Sequence, residues 1–190
     1  MLEQQTMEKL RELGLTAMAR TLEEQRKGSG MAELGFEERL GFLVDAEWLS
    51  RQNRRLGRRL QEAKLRIAGA CLEDIDFSPG RGLDRGLIRE LGTCRWIEDH
   101  LNILITGPTG VGKTYLSCAL AQQACRKGYR AISYRAGLFF QEAMVARASG
   151  TYPRFLGKLT RYHVLVIEDF GLVPMAEEGR YDLLEVLEDR

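Results

Sequence analysis

The sequence predicts an α/β domain, a parallel sheet with helices on both faces, preceded by an all-helical region. Three observations predict it. Gly107-Pro108-Thr109-Gly110-Val111-Gly112-Lys113-Thr114 follows the pattern G-x-x-x-x-G-K-[ST], with an apolar run before it and helical apolar spacing after it. Val164-Leu165-Val166-Ile167 is a second apolar run, and it ends in two acids, Glu168 and Asp169. Between these markers strand-like and helix-like segments alternate, the signature of parallel strands with crossover helices. Residues 1–70 show helical spacing only.

Taken in order, residues 1–30 read as two short helices. Met7, Leu10 and Leu13 form an apolar stripe and Gly14 is placed to end the first helix. Thr16 is the expected cap of the second, in which Met18, Ala19 and Leu22 repeat, and Gly28-Ser29-Gly30 reads as a turn. Phe36 to Ala70 reads as a long helix, with Gly41 and Gly57 as points of interruption. On a helical wheel Leu49, Leu56, Leu60, Ala63 and Ile67 share one face. Arg51, Arg54, Arg55 and Arg58 lie opposite, with Arg59 and Arg66 at the edge, so the segment is expected to pack inward and present charge outward.

Pro and Gly mark 76–82 as a linker, and Leu87 to Trp96 as a helix follows it. Leu101-Asn102-Ile103-Leu104-Ile105-Thr106 is expected to be a buried strand feeding the glycine-rich loop. The helix after the loop is expected to stop at Gly128. Tyr129 to Tyr134 then reads as a strand, Leu138 to Ala148 as a helix, Arg154 to Arg161 as a shorter helix, and Val164 to Ile167 as a buried strand.

The eight-residue loop carries its own chemistry. Glycines let successive backbone N–H groups turn inward around a β-phosphate, and the helix that follows aims its positive end at the same charge. Lys113 is expected to reach the β- and γ-phosphates and the Thr114 hydroxyl to hold Mg²⁺, so the loop predicts ATP-type nucleotide binding through all of Gly107 to Thr114. The strand ending in Glu168-Asp169 would bring carboxylates to the C-terminal edge of a parallel sheet, where ligands bind. Glu168 is expected at the metal and Asp169 at the attacking water, with Lys113 the third catalytic residue. Glu168 puts an extra methylene at the metal position and Asp169 a shorter arm at the water. Hydrolysis is therefore expected to be slow or to depend on a partner. The expected domain plan is a helical, arginine-rich region at 1–75, a linker at 76–86 and the nucleotide domain at 87–190.

Bulk properties narrow the class. The chain has 190 residues, 44% hydrophobic and 29% charged, which fits a globular protein. No apolar run approaches the ~18 residues of a membrane helix, and the first residues lack a secretory pattern, so the expected location is the cytoplasm. The four cysteines show no metal spacing and are expected to be reduced, with Cys118 and Cys125 on one side of the loop-following helix. His100 and His163 are given no chemistry. The net charge of +1 conceals polarity: Arg51 to Arg66 holds seven basic residues and one acid, and Glu168 to Arg190 holds eight acids and two arginines. The arginine face therefore has two candidate partners, DNA phosphates or the acids Glu177, Glu178, Asp182, Glu185, Glu188 and Asp189.

With these motifs in view the chain resembles the IstB-like transposition helper ATPases, relatives of the DnaC helicase loaders. The resemblance extends past the phosphate loop to Phe36-Glu37-Glu38-Arg39-Leu40, Leu43 to Trp48, Arg51 to Leu65, Leu72 to Phe77, Asn102 to Gly107 and Val166 to Pro174. It implies an AAA+ ATPase domain, ATP-driven assembly on double-stranded DNA as a homo-oligomer, and recruitment or activation of a transposase. Arg51, Arg54, Arg55, Arg58, Arg59 and Arg66 are then the expected DNA contacts. It also implies a sensor strand between the loop strand and the acid-bearing strand, drawn from residues beyond Arg190, and hence that 1–190 is a fragment or a truncated reading frame. The alternative is a helicase-loader-like adaptor whose N-terminal helices bind protein. A metabolic nucleotide kinase would need an acceptor site and a lid motif, and the sequence offers neither.

Overall fold

The computed structural model describes residues 2–28, 34–78, 80–172 and 177–188. The chain divides into two compact units, Met1–Gly57 and Arg58–Arg190.

The first unit contains α1 (Leu2–Glu12), α2 (Thr16–Lys27) and most of α3 (Phe36–Ala63). Gly14 ends α1 as expected: its φ is +70° and its N–H donates to the Arg11 carbonyl at 2.9 Å. Thr16 does not cap α2. It is the first helical residue, and Leu15 precedes it with no side-chain cap. The cap comes from α3, where the buried Glu47 carboxylate accepts from the N–H groups of Ala17 (3.0 Å) and Met18 (3.2 Å). A carboxylate at a helix N-terminus answers both the free donors and the dipole. Of the Gly28-Ser29-Gly30 turn, Ser29 and Gly30 lie outside the described residues, as does Pro79 of the 76–82 linker.

α3 runs unbroken through Gly41 and Gly57, both in open space. Each costs a helix about 1 kcal/mol relative to alanine, too little to break 28 residues. The helix does end earlier than Ala70, at Ala63, where Lys64 turns left-handed with φ +50°. Beyond that turn Ala70 is fully buried against Cys118 and Ala119, with Leu65 and Leu72 beside them. Residues 58–75 therefore pack with the nucleotide domain, because their apolar side chains find cover there.

The second unit continues with a 3₁₀ turn at Leu72–Asp74, α4 (Arg85–Leu91), α5 (Arg95–Glu98), α6 (Lys113–Lys127), β1 (Ala131–Arg135), α7 (Ala136–Ala148), α8 (Tyr152–Leu159), β2 (Val164–Glu168) and α9 (Glu177–Glu188). The helix expected over 87–96 is two helices, divided where Cys94 takes a left-handed φ of +65°. β1 and β2 pair in parallel with Ala131 opposite Val164 and Arg135 opposite Glu168. Side chains alternate across this pair. Ile132, Tyr134 and Leu165 join Phe139, Ala143, Phe155 and Leu159 of α7 and α8 in one apolar core. On the opposite parity, Glu168 meets Cys118 of α6. The α/β plan with helices on both faces is present, around a small sheet.

Leu101 to Thr106 is not a strand. Among the described residues the sheet has only β1 and β2, and no backbone hydrogen bond engages 102–106. Leu104 is 84% exposed and Leu101 59%. A strand exists through the ladder it shares, and among the described residues neither β1 nor β2 pairs with this segment. No described helix is long and apolar enough to cross a membrane.

Candidate nucleotide-binding site

The glycine-rich loop opens directly into α6. Gly107, Gly110 and Gly112 have φ of +148°, +86° and +97°, a region side chains rarely enter. A Cβ on Gly107 would also stand 3.3 Å from Val111 Cγ2. Gly112 occupies the cap position of α6, and among the described residues no side chain takes up the first N–H groups of that helix. Lys113 folds back over the loop, its Nζ donating to the carbonyls of Gly107 (2.9 Å) and Pro108 (2.8 Å). Thr114 follows as the second residue of the helix, half-buried. Main-chain donors, a helix N-terminus and an ammonium group converge at one place, and that donor set fits the oxygens of a polyphosphate.

α6 is anchored by its small side chains. Cys118, Ala119, Leu120, Ala121, Ala124 and Cys125 are all buried, so both cysteines act as the apolar fillers expected. Tyr115 donates its hydroxyl to the Cys71 carbonyl at 3.3 Å, tying the first turn to the segment before α4.

Glu168 closes β2 with its side chain only 4% exposed. The Cys118 thiol, whose pKa burial pushes up, donates to its Oε1 at 3.5 Å. Asp169 follows with φ +57° and a side chain 42% exposed. One atom reaches both acids: Arg66 Nη1 stands 3.7 Å from Glu168 Oε2 and 3.5 Å from Asp169 Oδ2. The sequence places Arg66 at the edge of the outward arginine face, yet it lies against acids more than a hundred positions later.

The other arginines of that run divide. Arg51 Nε (2.9 Å) and Arg54 Nη2 (3.4 Å) donate to Glu47 Oε1 in the first unit. Arg55, Arg58 and Arg59 form no ion pair among the described residues. Asp182 and Glu185, two of the acids offered as the alternative to DNA for the arginine face, bind Arg147 of α7 at 2.6 and 3.0 Å; Asp189 lies outside the described residues. His163 accepts from the Arg130 N–H at 3.1 Å, a structural role. Among the described residues no cluster of three metal-ligating side chains occurs.

Sequence reasoning missed two contributors. Glu47 carries no motif, and only the three-dimensional meeting of α2 and α3 reveals it. Arg81, in the 76–82 linker, donates to the Val111 carbonyl at 3.4 Å and pairs with Asp76 at 3.2 Å. Its readable signal is an Asp76-x-Ser78 turn shortly before an arginine, a pattern too common to single out.

A family model described as "IstB-like ATP binding protein" matches residues 8–190. The "Insertion sequence IS1162 putative ATP-binding protein" of Pseudomonas fluorescens is 45% identical over all 190 residues, which cover 82% of its length. The "Putative insertion sequence ATP-binding protein y4pL" of Sinorhizobium fredii is 42% identical over the whole chain and 77% of its own. The "Insertion sequence IS21 putative ATP-binding protein" of Pseudomonas aeruginosa is 33% identical over 146 residues, 77% of this chain and 55% of its own. A match of that extent, on a chain whose loop has the geometry above, places this protein in the IstB-like ATP-binding family.

Proposed function

We propose that this chain binds ATP and Mg²⁺ at Gly107 to Thr114 and serves DNA transposition as an ATP-dependent helper. On this reading it works in the cytoplasm, assembles as a homo-oligomer on double-stranded DNA, and recruits or activates a transposase. The observation that carries the reading is the loop: three glycines at positive φ lead into a helix whose first donors no described side chain claims. Pro108, Thr109 and Val111 space those glycines. Lys113 would exchange its two carbonyl partners for phosphate oxygens, and Thr114 with Glu168 would hold the metal. Bound Mg²⁺ would neutralise charge on the phosphates; Asp169, more exposed than Glu168, is the group that orients water. Hydrolysis by the isolated chain is slow on this reading, because Glu168 is buried and both acids already face Arg66. DNA phosphates are the partner for Arg55, Arg58 and Arg59, whose forks have no acid to engage among the described residues.

Calorimetry with an ATP analogue and Mg²⁺, on the wild type and Lys113→Ala, tests this. Removing one charged set of hydrogen bonds should weaken binding by roughly 10- to 100-fold. Nucleotide-dependent coating of long duplex DNA should vanish in the same variant. A wild-type chain that binds neither ATP nor ADP would sink the reading. One observation favours the adaptor alternative, in which α3 docks on protein. Phe36, Phe42, Val44, Trp48 and Leu49 of that helix are all exposed, Phe36 by 78%. Nucleotide binding intact with no affinity for duplex DNA would select it.

A further inference from the structure

We infer that Arg81, held by Asp76, is a further phosphate-binding residue of the nucleotide site and works beside Lys113. This rests on the ATP reading and adds to the site a side chain that no motif includes.

The loop carries an electrostatic mismatch. The positive end of a helix repels cations, worth typically 0.3–1 kcal/mol at an exposed site. Yet the Arg81 guanidinium sits at the N-terminus of α6, its Nη2 3.5 Å from where a Gly112 Cβ would be. The Lys113 ammonium is in the same loop. Two cations and a helix N-terminus thus converge, and the carboxylate paired with Arg81 among the described residues is that of Asp76. A polyphosphate brings the negative charge that such a place is short of.

Geometry makes the exchange inexpensive. The bond from Arg81 Nη2 to the Val111 carbonyl is long, 3.4 Å, so little is lost when the fork turns to a charged oxygen. The arm is steadied at its other nitrogen. Nη1 lies 3.2 Å from Asp76 Oδ2, while Asp76 itself accepts from the Ser78 N–H (2.9 Å) and hydroxyl (3.0 Å). Those Ser78 bonds, ahead of Arg81, hold the Asp76 carboxyl below its ordinary value, so it stays charged near neutral pH. An exposed ion pair is worth little by itself. What Asp76 supplies is a fixed direction for the guanidinium, and that direction is toward the loop.

The experiment measures ATP, ADP and AMP affinity by calorimetry on the full chain. The variants are Arg81→Gln, Arg81→Lys and Asp76→Asn, with Lys113→Ala as reference for the site itself. Arg81→Gln should weaken ATP by about tenfold, the worth of one charge-assisted hydrogen bond. AMP, which lacks the β- and γ-phosphates, should change less than about twofold on the same scale. Arg81→Lys should recover part of the deficit, and Asp76→Asn should fall between wild type and Arg81→Gln. Thermal melts matching the wild type show that the variants fold, and the lysine variant carries the test if the glutamine one does not. ATP affinity unchanged in Arg81→Gln while Lys113→Ala abolishes it overturns the inference and spares the site. Equal weakening for AMP and ATP overturns it too, by pointing to base or ribose recognition. No nucleotide binding by the wild type removes both.

Discussion

Arg66 shows how far one side chain can depart from the stripe to which its spacing assigns it. Only the run as far as Ala63 is helical, and past the left-handed Lys64 the chain swings Arg66 onto Glu168 and Asp169. If the chain binds Mg²⁺ and DNA as proposed, removal of Arg66 should be felt where the metal would sit and not on DNA. For Arg66→Gln we expect nucleotide binding to half-saturate at lower Mg²⁺, since the carboxylates lose a competing cation, while the salt dependence of DNA binding matches the wild type. Titrations of each variant against Mg²⁺ and against salt check this. Asp169 adds a constraint of its own. At φ +57° an asparagine is tolerated where most residues pay roughly 1–2 kcal/mol, so Asp169→Asn is the variant that separates hydrolysis from folding. The phosphate loop was readable because its eight positions are consecutive. The partners of Arg66 and Arg81 were not, because 103 and 30 residues separate them from the groups they meet.

Helix placement by spacing succeeded for the three helices that follow the loop. α6, α7 and α8 fall within two residues of expectation, and the left-handed Gly128 stops α6 where the sequence says it should. What spacing could not supply was a partner for each element. Leu101 to Thr106 has the composition of a buried strand and lacks a ladder to join. α9 reads in sequence only as an acid-rich stretch, and it is held by Arg147, which bridges Asp182 and Glu185 while stacking 3.7 Å over Tyr152. The core beneath is aromatic. Phe139 is fully buried and meets Tyr134, Phe140 and Phe155, so Phe139→Ala should cost about 3–5 kcal/mol in denaturant unfolding. The cap on α2 gives a pH signature. Glu47 is held below its ordinary value of 4.5, chiefly by the Arg51 bond, so its contribution is complete above that value and fades as pH falls through the lower folded one. Glu47→Gln should be less stable than wild type at neutral pH, with the gap closing in acid; melts from about pH 7 down to about pH 3 read it directly.

Charge is distributed unevenly along the chain, and the structure decides which part of it is available. Arg51 and Arg54 are engaged by Glu47 and Arg66 by the acid pair, which leaves Arg55, Arg58 and Arg59 for an outside anion. Reversing those three should flatten the dependence of log affinity for duplex DNA on log salt by up to about 0.9 for each phosphate no longer neutralised. An unchanged slope would return the arginine face to protein partners. The division at Gly57 and Arg58 falls inside α3, so the arginine run contributes to both compact units.

The unpaired apolar run at Leu101 to Thr106 has a practical consequence for anyone handling the protein. The run carries no charge, Ile103, Ile105 and Thr106 favour strands, and residues 102–106 make no backbone hydrogen bond among the described residues, which makes the stretch a template for intermolecular cross-β growth. Concentrated samples should precipitate through this stretch first, and Leu104→Lys, at a side chain 84% exposed, should raise the concentration that light scattering finds free of particles.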